Sequence, residues 1–270
     1  MSDHMQKVLR IVIIAEAALI AAVICLVVVF SAIGIGKRAG TGKHTASASA
    51  DISASGSADQ SQSASASADQ SQSTSTGLAD GEYENEEYKY VVSGENCYIK
   101  QYIGSNTRVI VPAMIEDKKV TKIGESAFYL RRDIESVSLP DSVTEIGSDA
   151  FYNCDNIKTL SLGSGLTKIC DGAFLICVFL REITIPDSVT EIGENAFDGC
   201  GRLVTVSLGS GVKTIGRGAF GSCVSLITAE FKNTSGWSVD GIAVDVTDAS
   251  QNATMLIETY LDSIWSRSDQ

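Results

Sequence analysis

The sequence predicts a β-rich solenoid built from 23-residue repeats, and three observations carry that prediction. The segment PDSVTEIG occurs at 140–147 and again at 186–193, and midway between the copies stands the diverged LGSGLTKI. Stacking the chain on the resulting 23-residue period aligns Ile123, Ile146, Ile169, Ile192 and Ile215 in one column and Phe128, Phe151, Phe174, Phe197 and Phe220 in another. Composition also changes sharply along the 270 residues, so an apolar segment and a Ser/Ala/Gln-rich segment precede the periodic part. Repeat arrays stack like units over one continuous core, and they bind partners far more often than they catalyse.

The elements follow in chain order, beginning with a short basic tail over residues 1–10 that carries Lys7 and Arg10. From Ile11 to Ile35 only Glu16 interrupts an apolar run. At ~1.5 Å per residue this run makes about 37 Å of helix, enough to cross a bilayer with some tilt. We therefore expect a transmembrane helix or uncleaved signal anchor over residues 11–35. A cleaved signal peptide has an apolar region of about 7 to 15 residues, and Ala32-Ile33-Gly34 is a poor cleavage site. Cys25 follows Ile24 where a lipoprotein signal wants a small residue, so it reads as an ordinary residue of the membrane helix. Glu16 lies near enough to the first end of the segment to reach the interface. Lys7 and Arg10 before the segment, with Lys37, Arg38 and Lys43 after it, leave the positive-inside rule balanced between the two orientations.

Residues 36–80 form a low-complexity linker. Between Thr45 and Asp80 nearly every residue is Ser, Ala, Gln, Thr or Gly, and SADQSQS occurs from Ser57 and again from Ser67. Such side chains offer too little apolar area to offset the entropy of ordering, so the composition predicts a disordered tether. As a flexible coil it spans about 30 to 36 Å root-mean-square. A stalk of that length suits a domain that stands away from a surface. The expected topology is a single-pass plasma-membrane protein with its repeats outside the cell.

Residues 81–119 lead into the solenoid, residues 120–231 form the repeats, and residues 232–270 close the array. Within the repeats Leu203, Val206, Leu208, Val212, Ile215, Ala219 and Phe220 are matched 23 positions earlier by Leu180, Ile183, Ile185, Val189, Ile192, Ala196 and Phe197. These columns face inward. The run from Leu203 to Leu208 reads as a short strand that pairs in parallel with its copies, its apolar residues alternating with outward Thr205 and Ser207. Pro140 and Pro186 alternate with Gly163 and Gly209 at the strand ends, and the Gly after Ile at 124, 147, 193 and 216 is read as serving a second tight bend.

The pattern Leu-x-x-Val-x-Ile-Pro, then Val-x-x-Ile-Gly, then Ala-Phe-x-x-Cys resembles the BspA-like, or Treponema pallidum type, leucine-rich repeats. The resemblance runs from about Tyr88 to Phe231, and it implies a parallel sheet joined by short turns or 3-10 segments. It also implies that YVVSGENCYIKQYIGSNTRVIVPAMIEDKKVTKIG is a lead-in hairpin followed by a longer first turn. Three departures stand out: the first unit is five residues longer between Pro112 and Val120, Arg131 sits in the Cys column, and Cys170 replaces a Gly. After Phe231 the period fails. Leu256, Ile257, Tyr260, Leu261, Ile264 and Trp265 recur at three- and four-residue steps, which predicts a closing helix that Asn252 or Ser250 caps.

Catalytic and metal chemistry find little support. Both histidines, His4 and His44, lie outside the repeats, so no Ser/His/Asp triad, Cys/His dyad or His-based metal site can be built there. Cys154, Cys177, Cys200 and Cys223 recur every 23 residues, which sets them in a straight row one layer apart instead of around a tetrahedron. The expected arrangement is a ladder of buried thiols, which is also what the resemblance implies. Asp141, Asp187, Glu145 and Glu191 repeat at equivalent turns and read as solvated. The run Glu82, Glu84, Glu86 and Glu87 beside Tyr83 and Tyr88 suits a cation or basic partner, or simply solubility. Residues 1–44 carry five Lys/Arg against two Asp/Glu and the linker four Asp, so of the chain's net −12 about −11 falls on residues 81–270. Nucleic acid, which needs a basic surface, is not an expected ligand. GIGKRAGTGK near Gly34 lacks the spacing of a phosphate loop.

We therefore expect no enzyme, no cofactor and no metal. The resemblance implies adhesion to protein ligands on host, matrix or neighbouring cells, with glycans as a further ligand class. The other reading is a structural or sensory envelope protein whose solenoid assembles with itself or with a complex. The expected binding surface is the outward face of the repeat strands. It comprises Ser136, Ser138, Thr159, Ser161, Glu182, Thr184, Thr205 and Ser207, bordered by Lys158 and Arg181.

Overall fold

A computed structural model describes residues 78–268. The expected membrane helix, most of the linker and both histidines lie outside the described residues. The lead-in begins with an antiparallel ribbon of β1 (Gly81–Glu84), β2 (Tyr88–Ser93) and β3 (Asn96–Tyr102). Next come β4 (Arg108–Ile110), β5 (Met114–Ile115) and β6 (Lys118–Ile123). The five extra residues of the first unit form the β5–β6 hairpin, whose two turn residues, Glu116 and Asp117, both have positive φ, as a two-residue hairpin turn requires.

From β6 onward every rung adds two strands. One series is β7 (Ser136–Ser138), β9 (Thr159–Ser161), β11 (Glu182–Ile185), β13 (Thr205–Leu208) and β15 (Thr228–Phe231). The other is β8 (Glu145–Ile146), β10 (Lys168–Ile169), β12 (Glu191–Ile192) and β14 (Thr214–Ile215). Pairing follows the 23-residue period: Ile146, Ile169, Ile192 and Ile215 are neighbours in one parallel ladder, continuous through β6 and β3 with the lead-in ribbon. The first series is where expectation and structure part. It forms two three-stranded parallel sheets, β4-β7-β9 and β11-β13-β15, with no ladder between β9 and β11, instead of one continuous sheet.

The inward columns are buried, with Phe128, Phe151, Phe174 and Phe197 fully inaccessible. Their rings stack with centroids 4.6–5.3 Å apart through Phe220. Each corner is a turn that hydrogen-bonds to the next rung, as in Phe151 N–H to Ala173 C=O (2.8 Å) and Phe174 N–H to Ala196 C=O (2.7 Å). The corner holds left-handed residues at Leu130, Asn153, Ile176 and Gly199, so it is a turn and not a 3-10 segment.

The glycines that follow Ile open the second bend, the carbonyls of Gly124, Gly147 and Gly216 each accepting from the N–H of the Ala three residues on at 3.2–3.3 Å, and they serve a further purpose. None of them has positive φ, and a Cβ on Gly147 or Gly193 would lie 2.7 or 2.5 Å from a backbone nitrogen of the preceding rung. They let successive rungs approach. Gly163 and Gly209 are needed for a similar reason, since a Cβ on either would sit 2.3 Å from the carbonyl oxygen of Pro140 or Pro186. The alternation of Pro and Gly therefore records which rung lies over which.

The ends are covered by residues that occur once. At the lead-in, Tyr102 and Tyr88 extend the aromatic stack, with centroids 5.1 Å from Phe128 and 5.4 Å from each other. At the other end β16 (Trp237–Val239), β17 (Ile242–Ala243) and β18 (Trp265–Arg267) continue the long sheet, β18 pairing antiparallel with β14 and β16. The closing helix exists but is shorter and earlier than the apolar stripe predicts: α1 spans Ala249–Thr254 and continues as a π-turn over Met255–Thr259. Its cap is Asp248, whose carboxylate accepts from the N–H groups of Ser250 (2.9 Å) and Gln251 (3.1 Å), and neither Ser250 nor Asn252 fills that role. Asn252 is instead buried in the helix, donating to Ala229 C=O and Val246 C=O at 2.9 Å each, which ties α1 to the open edge of β15. Trp265 leaves the helix because the edge of β14 needs a hydrogen-bonding partner, and a strand supplies it. Among the described residues no helix is long and apolar enough to cross a membrane.

Candidate functional site

The outward face of the repeat strands is assembled in register. In the first sheet Arg108, Ser136 and Thr159 are neighbours across β4, β7 and β9, as are Ile110, Ser138 and Ser161. In the second, Glu182, Thr205 and Thr228 form one row and Thr184, Ser207 and Glu230 the next. Val137, Ile183 and Val206 are buried behind them, which is why the alternating residues point outward; Leu160 is only half-buried. Lys158, Thr159, Ser161, Arg181, Glu182 and Thr184 are exposed, whereas Ser136, Ser138, Thr205 and Ser207 are half-buried. The ten expected residues thus fall into two groups of five, one on each sheet, separated by the gap between β9 and β11.

Electrostatics differ between the groups. Lys158 pairs with Glu135 one rung earlier at 3.2 Å, both side chains about half exposed, so the pair is screened and contributes little to stability. On the second sheet the Thr228 hydroxyl donates to the Thr205 hydroxyl at 3.2 Å. One rung apart, the Arg202 guanidinium lies 4.2 Å from the centroid of the Phe179 ring, a cation–π contact.

Sequence reasoning missed the apolar part of this surface. The column that begins Glu135, Lys158, Arg181 continues 23 residues at a time to Val204 and Ile227, and Ile227 is 63% exposed. Val224 (80%) and Ile110 (77%) are the two most exposed large apolar side chains among the described residues, Ile110 on the first strand of the face and Val224 in the turn that precedes β15. Extending the Lys158–Arg181 column by two rungs would have found Val204 and Ile227. No sequence signal marked Ile110, because the first strand lies before the regular period.

The cysteine ladder is a packing device. Cys154, Cys177, Cys200 and Cys223 are fully buried free thiols. Each S–H donates to the carbonyl of a Phe in the rung before, at 2.9, 3.3, 3.4 and 3.2 Å for Phe128, Phe151, Phe174 and Phe197. Burial pushes the Cys154 thiol up to about 12 and holds Cys177 and Cys200 well above the ordinary thiol range. Such groups are poor nucleophiles and poor metal ligands. Arg131 performs the same bridging at the first rung, where its Nη1 donates to Tyr102 C=O (3.0 Å) and its Nη2 to Gly104 C=O (2.6 Å). Asp133 holds the other side of that guanidinium, and the hydrogen bond from Arg131 depresses the Asp133 carboxyl.

The repeated acids also have structural partners. Asp141 and Asp187 are exposed, and each accepts from a backbone N–H of the next rung, Ser164 at 2.7 Å and Ser210 at 2.8 Å, which lowers both carboxyls. Glu145 is depressed first by its hydrogen bond with Lys122, 2.8 Å away, across neighbouring strands. Among the described residues no group of three or more Cys, His, Asp or Glu is placed to hold a metal ion.

Comparison with known proteins places these features. The family model of the BspA type leucine rich repeat region matches residues 99–236 in six copies. The crystal structure of a leucine rich repeat protein from T. pallidum is similar at 35% identity and a TM-score of 0.53, over 55% of this chain and 71% of that one. A leucine-rich repeat protein from Bacteroides ovatus is 26% identical with a TM-score of 0.49, over 55% of this chain and 40% of that one. No curated protein matches the chain.

Proposed function

The chain belongs to the BspA-type leucine-rich repeat family, and from that premise we propose that it is a membrane-anchored cell-surface module that binds protein ligands on host, matrix or neighbouring cells. Solenoids of this kind serve as binding scaffolds, since stacked rungs present a broad, rigid face whose side chains vary while the core columns do not. The observation that carries the reading is the second outward sheet. There Arg181 and Glu182 border rows of hydroxyls, and the same column turns apolar at Val204 and Ile227, combining donors, acceptors and apolar area in one field. The length and composition of residues 11–80 support the anchor and the stalk.

One experiment tests both parts. Intact cells producing the full chain are offered immobilised matrix proteins and candidate partner cells. Attachment is expected, and protease added outside the cells should abolish it by cutting the linker. Replacing Lys158, Arg181 and Glu182 together should weaken attachment about tenfold or more, roughly 1.4 kcal/mol, with little change in thermal midpoint. Attachment that resists external protease overturns the topology, and full attachment by the triple variant moves the site off this face.

A further inference from the structure

The turns that lead into β11, β13 and β15 each place two outer positions around a buried Leu. These are Phe179 and Arg181 around Leu180, Arg202 and Val204 around Leu203, and Ser225 and Ile227 around Leu226. In extended chain such i and i+2 side chains share a side. Hydrogen bonds hold the three rungs in step, Val204 N–H donating to Arg181 C=O at 2.8 Å and Ile227 N–H to Val204 C=O at 3.0 Å. Along this flank the last rung is apolar and exposed, since Val224 stands next to Ser225 in the turn and Ile227 follows it.

Two guanidinia border the apolar strip, and among the described residues neither has an anionic partner. The column shows why. Lys158 meets Glu135 one rung back at 3.2 Å, but the column neighbours of Arg181 are Lys158 and Val204, and those of Arg202 are Phe179 and Ser225. Arg202 rests on the Phe179 ring instead, and its N–H donors stay unengaged. The main chain is open at the same place. Lys158, Val204 and Ile227 each donate an N–H to the carbonyl 23 residues earlier, whereas Arg181 N–H and Lys158 C=O do not meet. Leu160, beside that gap, is half-buried where Val137, Ile183 and Val206 are buried.

We propose that this flank binds an acidic, apolar segment of a protein partner, whose carboxylates meet the Arg181 and Arg202 guanidinia and whose aliphatic or aromatic side chains cover Val204, Val224 and Ile227. A guanidinium presents a planar fork of donors that a carboxylate fills with two hydrogen bonds. Arginine beside aromatic and aliphatic side chains is also the composition of protein interfaces at their desolvated centre. The chain's net negative charge opposes such a partner little at this range, because exposed charges more than ~8 Å apart are screened at physiological salt. The inference rests on the binding role proposed above, names the partner's chemistry, and extends the site from the outward rows to the turns before them.

The full chain in detergent is titrated into a fluorescein-labelled peptide, Glu-Phe-Asp-Leu-Glu-Phe-Asp-Leu, and into two twins, read by fluorescence anisotropy. One twin carries Gln and Asn in place of the acids, the other Ser in place of Phe and Leu. The parent peptide should bind about tenfold or more tightly than either. Arg181→Gln with Arg202→Gln should remove the preference over the neutral twin, and Val224→Ser with Ile227→Ser the preference over the serine twin. Thermal midpoints should stay near that of the wild type, because all four side chains are exposed. Ile242→Ser, which changes an exposed apolar residue of the cap, should bind the peptide as the wild type does. Equal binding of the three peptides, or preferences that survive these variants, overturns the proposal. A full chain that sediments as a dimer, and as a monomer once Val224→Ser and Ile227→Ser are made, overturns it in favour of a second copy. Cell attachment separates this outcome from the role it rests on. Attachment lost with Lys158, Arg181 and Glu182, yet kept by a variant carrying Arg202→Gln, Val224→Ser and Ile227→Ser, leaves the outward face as the site and overturns the flank.

Discussion

The interior rungs and the two ends of the solenoid are stabilised in different ways. In the middle, one contact is made again and again: Phe over Phe, Cys S–H to a Phe carbonyl, Ile beside Ile in a parallel ladder. At the ends no rung is left to repeat it, and residues that occur once make the closure. Arg131 replaces the Cys contact with two hydrogen bonds to the lead-in, and Trp265, Trp237 and Phe231 cover the last layer with mixed stacked and edge-on rings. Repetition makes the middle cooperative, because damage to one rung is felt by two neighbours, while an end rung has only one.

The sharpest way to break this comparison is Phe197→Ala. Phe197 is fully buried between Phe174 and Phe220, so its loss should cost about 3 to 5 kcal/mol through lost burial and an unfilled cavity. Chemical denaturation measures it. Tyr260→Ala, which removes one edge-on contact with Trp265 from a half-buried side chain, should cost less. A larger effect at Tyr260 than at Phe197 would show that the cap and not the repeat column limits stability.

A smaller effect sharpens the account of rung spacing. Gly209→Ala places a Cβ 2.3 Å from the Pro186 carbonyl oxygen, and since that oxygen is backbone, the rungs must move apart at a cost of about 1 to 3 kcal/mol. Gly201→Ala meets nothing nearer than 4.0 Å and should change stability by about 0.5 kcal/mol or less. Equal thermal midpoints for the two variants would mean that the stacking distance is soft.

The smallest expected effect concerns the thiols. In the native state maleimide should label Cys170, which is half-buried, well before the four ladder cysteines, which should react only on unfolding. Burial raises the folded-state pKa of Cys154, Cys177 and Cys200, so folding favours the neutral thiols. Their contribution is whole below the unfolded thiol pKa of about 8.5 and declines as pH rises toward the folded values, because only the unfolded chain then releases protons. Replacing the three with Ala should flatten the alkaline fall in denaturation midpoint. An unchanged slope would place the alkaline lability elsewhere.

What the sequence by itself determined is the period, the fold class and the inward columns. Each rung makes its contacts with a copy of itself, so the same side chain must recur at the same place, and recurrence is visible without coordinates. For the same reason the outward positions of Ser136 through Ser207 were legible, since strand side chains alternate. Only the tertiary structure decided the interruption between β9 and β11, the role of the Gly after Ile as room for the next rung, and the meaning of the Pro140–Gly163–Pro186–Gly209 alternation. Each depends on a distance between residues 22 or 23 positions apart, which a column of letters does not express. The ends were the least legible. The stripe from Leu256 to Trp265 has helical spacing, yet helix spacing is a local preference, and the unpaired edge of β14 drew Trp265 into a strand because buried backbone groups must find hydrogen bonds.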